Sequence, residues 1–194
     1  MIRSWTDTQK GYGWISIALH WASALAIVLV YALGEWGPEM LGGTRPAAIA
    51  LHAGIATYSF LVFFPRIAWR VAHTGPLFTI KQPAFVAWAA PLVQFVMLSS
   101  IVALFVTGPL AVFFAGKPID LFLFAIPSPV EANRAVRSVL GDLHEWAVNA
   151  MLVSVLMHIG GAAFHAMRGH WGIVKRMIIA VPAQKKRPPQ RRPS

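Results

Sequence analysis

Four stretches of the chain are almost entirely apolar, and short polar segments separate them. The first runs from about Gly13 to Gly34, with no Asp, Glu, Lys or Arg from Ala18 to Leu33. The second runs from Pro46 to Phe64 and is predicted to end at Pro65-Arg66, since proline removes a helix donor and crowds the preceding turn. The third lies within Gln82 to Gly116, which again holds no Asp, Glu, Lys or Arg. It exceeds the roughly 20 residues a span needs, so its helix is expected to tilt or to break near Gly108-Pro109. The fourth runs from Val139 to Met167. Apolar runs of this length predict an all-α transmembrane four-helix bundle. The first run has a weakly basic start and no small-residue cleavage site after it, so a removed signal peptide is not expected.

The connectors are Glu35–Arg45, Ala68–Pro83 and Lys117–Ser138, the last with Glu131–Arg137 readable as a short interfacial helix. Residues 1–178 read as one membrane domain. Residues 179–194 read as a basic tail, rich in Lys, Arg, Pro and Gln from Ala183 on and expected to be disordered.

Composition agrees. Of the 194 residues, 57% are hydrophobic and 12% charged, where a soluble domain has about 25% charged. The net charge of +10 would suggest nucleic acid in a soluble protein, but its distribution fits a membrane better. Four spans put both termini on one side. That side takes Arg3, Lys10, Arg66, Arg70, Lys81, Arg168, Lys175, Arg176 and the basic tail. The other side takes Arg45, Lys117, Arg134 and Arg137, with every acid except Asp7. The bias toward basic residues places both termini in the cytoplasm, with lipid as the partner and no nucleic acid.

The chain has no cysteine, which excludes disulfides, thiolate metal sites and covalent c-type haem. Histidine is the remaining ligand supply. His20, His52, His144 and His158 all fall inside the spans, where ionisable residues are costly and usually functional. A lone one can also simply close an interhelical hydrogen bond. His144 and His158 are fourteen residues apart on one helix, which is about 40° short of four turns and about 21 Å along the axis. The helix directions then match His52 with His144 near the outer face and His20 with His158 toward the cytoplasm. Two b-type haems with bis-histidine ligation need this arrangement. Gly54, Gly160, Gly161, Ala162 and Ala163 would leave room for a flat porphyrin, or would let helices pack closely.

The segments "ISIALHW" (15–21), "ALHAGIA" (50–56), "PRIAWR" (65–70), "IPSPVEANRAVRSVLGDLHEW" (126–146) and "LMHIGGAAFHAMRGHWGIVKRM" (156–177) resemble the bacterial cytochrome b561 family. The likeness covers about residues 12 to 178 and is strongest to small di-haem members that pass electrons from superoxide to ubiquinone. It implies His20, His52, His144 and His158 as axial iron ligands of two haem b groups. It also implies a quinone near the cytoplasmic haem, where His165 and Lys81 are the expected hydrogen-bonding and proton-relay residues. Trp88 and Gln94 stand where some relatives carry histidine.

Arg66, Arg70, Arg45, Arg134 and Arg137 are candidate partners of haem propionates, and Trp146 is a candidate for the edge of the outer haem. Arg134 and Arg137, which oppose the charge bias, are expected to attract an anionic one-electron donor such as superoxide. His73 and His170 receive no role. Two alternatives stand beside this reading. One is a haem subunit that docks a dehydrogenase or other redox partner protein at the outer loop. The other is a small transporter with a histidine relay for protons or metal, which would call for intramembrane carboxylates that the spans almost entirely lack.

Overall fold

The structure, a computed structural model, describes residues 3–73 and 84–182. Lys81 and the tail from residue 183 on lie outside the described residues. Four long helices dominate: α1 (Trp14–Leu41), α2 (Arg45–Ala72), α3 (Ala84–Phe114) and α4 (Arg134–Met167), followed by the single turn α5 (Gly172–Lys175). At 28, 28, 31 and 34 residues, each exceeds the roughly 20 residues that cross a bilayer core, and each is apolar enough to do so. Their outer faces carry exposed Leu25, Val28, Leu61 and Leu156, as lipid-facing helices should.

Local chemistry sets the ends. Before α1, the carboxylate of Asp7 accepts the Gly13 N–H at 2.8 Å and the Ser16 hydroxyl at 2.7 Å. The Ser16 oxygen in turn accepts the Trp69 indole N–H at 2.9 Å, tying the start of α1 to α2. α1 closes at Gly42, whose φ of 59° is left-handed and favours glycine, and α2 begins three residues later with Pro46 in its first turn. Asn133 caps α4, its side-chain oxygen accepting the Val136 N–H at 3.1 Å.

Three expectations about these elements are corrected. α2 does not end at Pro65-Arg66 but runs through Pro65 to Ala72, and α1 reaches Leu41. Of the two forms expected for the third span, tilted or broken near Gly108-Pro109, the broken one is not found, since α3 is continuous there. In lipid, a helix with one missing bond still satisfies far more backbone groups than an opened chain would. Glu131–Arg137 is not a separate helix, because Arg134–Arg137 form the first turn of α4. The α3–α4 connector also holds a small antiparallel pair, β1 (Ile119–Asp120) with β2 (Ala125–Ile126).

The helices pack as two hairpins, α1 on α2 and α3 on α4. Buried Ser23, Ser59, Ser100, Thr107 and Ser154 each give their hydroxyl proton to a carbonyl of their own helix, so small polar residues sit in the packing faces without an unmet bond. Between the hairpins, α2 approaches α3, but α4 has no close backbone approach to α1 or α2, which leaves a cleft. The β1–β2 loop folds onto α2. Tyr58 donates to the Leu121 carbonyl at 2.7 Å and stacks on Phe122. The two ends of the described chain meet at one end of the bundle, where the Ser4 N–H donates to the Val181 carbonyl at 2.8 Å and Arg3 to that of Ala180 at 2.7 Å.

Candidate functional site

Side chains from three helices reach into the cleft. His20 comes from α1, His52 from α2, and His144 and His158 from α4. The structure brings His52 beside His144, ring centroids 6.4 Å apart, and His20 beside His158 at 6.2 Å. The two pairs lie about 21 Å apart along α4, from fourteen residues of helical rise.

These separations carry chemical information. Bonds from an imidazole nitrogen to a first-row metal run to about 2.0–2.1 Å, and the nitrogen lies about 1.1 Å from the ring centre. Two imidazoles on opposite sides of one ion therefore stand about 6.2–6.4 Å apart, centre to centre. Both pairs match that spacing. Among the described residues, no three His, Cys, Asp or Glu side chains converge. A metal held here takes two protein ligands, and its other ligands must arrive with it. A metal carried in a flat macrocycle meets both conditions, and α4 stands off from α1 and α2, whose histidines it faces.

Neighbours orient the rings of the first pair. Nδ1–H of His52 donates to the Val30 carbonyl at 2.8 Å. The Thr107 hydroxyl gives its proton to the Ala103 carbonyl at 2.8 Å, so its oxygen accepts Nδ1–H of His144 at 3.0 Å. Both bonds leave Nε2 unprotonated and free for a metal. Two glycines make room. A Cβ on Gly34 would stand 3.0 Å from Nδ1 of His52, and one on Gly108 would stand 3.1 Å from Cε1 of His144.

The second pair is set differently. Arg66 approaches Nδ1 of His20 at 3.0 Å and the Leu19 carbonyl at 3.3 Å. The edge of Trp21 rests against His20, while its indole N–H donates to the Met177 carbonyl at 2.7 Å. Outside the spans, Tyr12 lies near Arg66, Arg70 and Arg176, and burial pushes its phenol pKa up despite those cations.

The remaining expected residues are placed less closely together. His165 ends α4 one helical stretch beyond His158 and meets His170 edge to face, centroids 6.3 Å apart. His170, given no role from sequence, is thus its neighbour, whereas Lys81 lies outside the described residues. Arg134 and Arg137 are exposed in the first turn of α4, which holds no acid. Gly54 is not a wall for a flat ligand, because a Cβ there would collide with the Asp120 carbonyl of the β1–β2 loop. At Gly160 and Gly161 a Cβ would meet nothing within 4 Å, so both face open space rather than a tightly packed helix. Trp146 is 74% exposed and lines a surface pocket with Asp142, Glu145 and Asn149. Thr107, Val30 and Gly108 were not singled out by sequence as part of the site. Gly34 had a readable signal, since it follows His20 by the same fourteen residues that separate His144 from His158.

Residues 11–179 match the family model described as prokaryotic cytochrome b561. The chain is 30% identical over 185 residues to cytochrome b561 homolog 2 of Escherichia coli K12, covering 90% of this chain and 95% of that protein. It is 24% identical over 152 residues to cytochrome b561 homolog 1 of the same organism, covering 77% of this chain and 86% of the relative.

Proposed function

Because the chain belongs to the prokaryotic cytochrome b561 family, and so to the multi-pass membrane haem proteins of electron transfer, we propose that it holds two b-type haems and carries electrons from superoxide outside to ubiquinone at the cytoplasmic face. His52 with His144 would hold the outer haem, and His20 with His158 the inner one. The observation that carries this reading is the pair of ring separations, 6.4 and 6.2 Å, each the spacing of two imidazoles across one metal ion. When bound, the haems supply one-electron carriage between the two faces. The protein's side chains do the rest.

The cytoplasmic side is the end where the two ends of the described chain meet, which carries Arg3, Lys10, Arg66, Arg70, Arg168, Lys175 and Arg176. At the opposite end, Arg134 and Arg137 stand at the positive end of the α4 dipole, and together they favour the approach of a small anion. Near the inner pair, a ring nitrogen of His165 would bond a quinone oxygen, with Lys81, which lies outside the described residues, proposed as the second quinone-bonding residue. The overall balance is two superoxide, one quinone and two protons giving two dioxygen and one quinol, so proton delivery at His165 is required as well as electron delivery.

The test is a visible spectrum with haem quantification, followed by rapid mixing with superoxide. Two low-spin haems per chain, reduced by superoxide and reoxidised by ubiquinone, are expected. One haem per chain would overturn the two-site reading. Two haems that superoxide does not reduce would overturn the donor and leave a cytochrome that docks a redox partner.

A further inference from the structure

We propose that the turn joining β1 to β2 dips its apolar tip into the membrane leaflet on the side of the His52–His144 pair, so that Phe122, Leu123 and Phe124 bind lipid acyl chains beside α2. The four helices supply the depth scale. His52 faces His144, and Gly34 and Gly108 each close on one of those rings, so a single level crosses all four helices. Glu35 follows Gly34, and Asp142 and Glu145 flank His144. All three carboxylates are exposed. A charge on the lipid-facing surface is costly, so this level meets water and headgroups. Exposed Trp36 and Trp146, the neighbours of Glu35 and Glu145, are of the type that collects at this boundary. From Glu35 back to Trp14, and from Glu145 on to Met167, each helix covers about 32 Å, close to the thickness of one hydrocarbon core. The hydrocarbon therefore begins just below the His52–His144 level.

The turn reaches below that level. The Asp120 carbonyl packs against Gly54, the Leu121 carbonyl accepts the Tyr58 hydroxyl at 2.7 Å, and the Phe122 ring stacks on that of Tyr58. Gly54 and Tyr58 lie two and six residues past His52, about 3 and 9 Å deeper and about 200° and 240° round the helix. The turn thus lies on the back of α2, away from the cleft. Asp120 stays at the depth of the headgroups, and the tip goes further in. Its backbone needs no water there. The Leu121 N–H donates to the Phe124 carbonyl at 2.9 Å, the Leu123 N–H to the Leu121 carbonyl at 2.8 Å, and the Phe122 N–H to the Asp120 carboxylate at 2.8 Å. Three successive donors are met inside the turn, as lipid demands of a non-helical backbone. Phe122 takes a left-handed φ of 68°, unfavourable for a bulky residue, and its ring is seated on Tyr58. Ile119 and Leu121 are buried against the protein, whereas Leu123 is 90% exposed and Phe122 and Phe124 are largely so. Leu61, further along the same back face of α2, continues this apolar surface.

The chain has no cysteine, so a single one can be introduced and labelled without further changes. The experiment places a nitroxide at Leu123→Cys in the full-length protein, reconstituted in vesicles of phosphatidylethanolamine and phosphatidylglycerol. Collisions with dissolved oxygen, which concentrates in hydrocarbon, are compared with collisions with a nickel chelate, which stays in water. Glu39→Cys, exposed beyond Glu35, is the water reference. Val153→Cys, exposed on α4 about 12 Å past Glu145, is the lipid reference. The label at Leu123 should lose the nickel broadening seen at Glu39 and show the oxygen broadening seen at Val153. Nickel broadening equal to that at Glu39 would overturn the proposal and leave the tip in water, open to a soluble partner. Weak broadening by both reagents would overturn it too, because the tip would then be covered by protein, as in a contact between two copies of this chain. If Leu123→Cys does not give folded protein, Phe124→Cys decides by the same criteria.

Discussion

Thr107 stands 3.0 Å from Nδ1 of His144 and can only accept there, because its own proton is committed to the Ala103 carbonyl at 2.8 Å. One hydroxyl thus fixes which nitrogen of the histidine is free. Thr107→Val keeps the shape and removes the acceptor. Losses of this kind typically cost about 10–100-fold in metal affinity. The outer haem should be retained less well through detergent dialysis, and its potential should rise. Haem per chain and a redox titration check both, and an unaltered outer haem would show that the hydroxyl does not orient the ring.

The pairing of rings predicts which histidines act together. His52→Ala and His144→Ala should each lower haem per chain from two to one and leave the same residual spectrum. His20→Ala and His158→Ala should leave the complementary spectrum. Residual spectra that group His20 with His144 would contradict the pairing in the cleft.

Gly34→Ala sets a methyl group 3.0 Å from Nδ1 of His52, inside ordinary contact distance. Overpacking of this kind costs about 1–3 kcal/mol, and here the imidazole is the group that must move. A weakened outer haem with a growing high-spin component is expected in the absorption spectrum. Gly172→Ala, where nothing lies within 4 Å, serves as the control and should leave the spectrum unchanged.

Replacing Arg134 and Arg137 together by glutamine should slow reduction of the haems by superoxide and spare reduction by a neutral chemical donor. Steering by exposed charge weakens as the Debye length falls below about 10 Å, so rising salt should slow the superoxide reaction of the unsubstituted protein more than that of the double variant. Stopped-flow rates at several ionic strengths test this, and equal salt slopes would count against the arginines.

Asp7 holds the start of α1 through the Gly13 amide and the Ser16 hydroxyl. Asp7→Ala removes both acceptors and a negative charge at the positive end of the helix, a loss of about 0.5–2 kcal/mol. The Tm in detergent should fall while haem content stays at the wild-type ratio.

What the sequence made legible follows from periodicity. Four apolar runs and the fourteen-residue spacing on α4 are properties of single helices, and they are enough to set His144 and His158 on one face at two levels. The proline rule misled at Pro65 because it weighs a broken helix against water, and a bilayer offers the opened backbone no such partner; the same physics decides against the broken form at Gly108-Pro109. Thr107 and the Val30 carbonyl were out of reach for a different reason. Each meets a histidine of another helix, so the contact depends on the relative rotation and height of two separate segments. The β1–β2 pair arises from a local bond, the Asp120 side chain accepting the Phe122 N–H at 2.8 Å, and a two-residue strand gives no alternation to detect.

The scarcity of backbone contact between the α1–α2 and α3–α4 hairpins bears on how the protein is made. Each hairpin can enter the membrane and settle as it leaves the ribosome, without waiting for the other. The α2–α3 approach and the β1–β2 loop on α2 already join the halves on one side, and a ligand that fills the gap on the other side stabilises the joined state by mass action. A cell starved of haem would accumulate inserted but loosely joined halves, exposed to membrane proteases. The amount of this protein would then follow haem supply even at constant transcription.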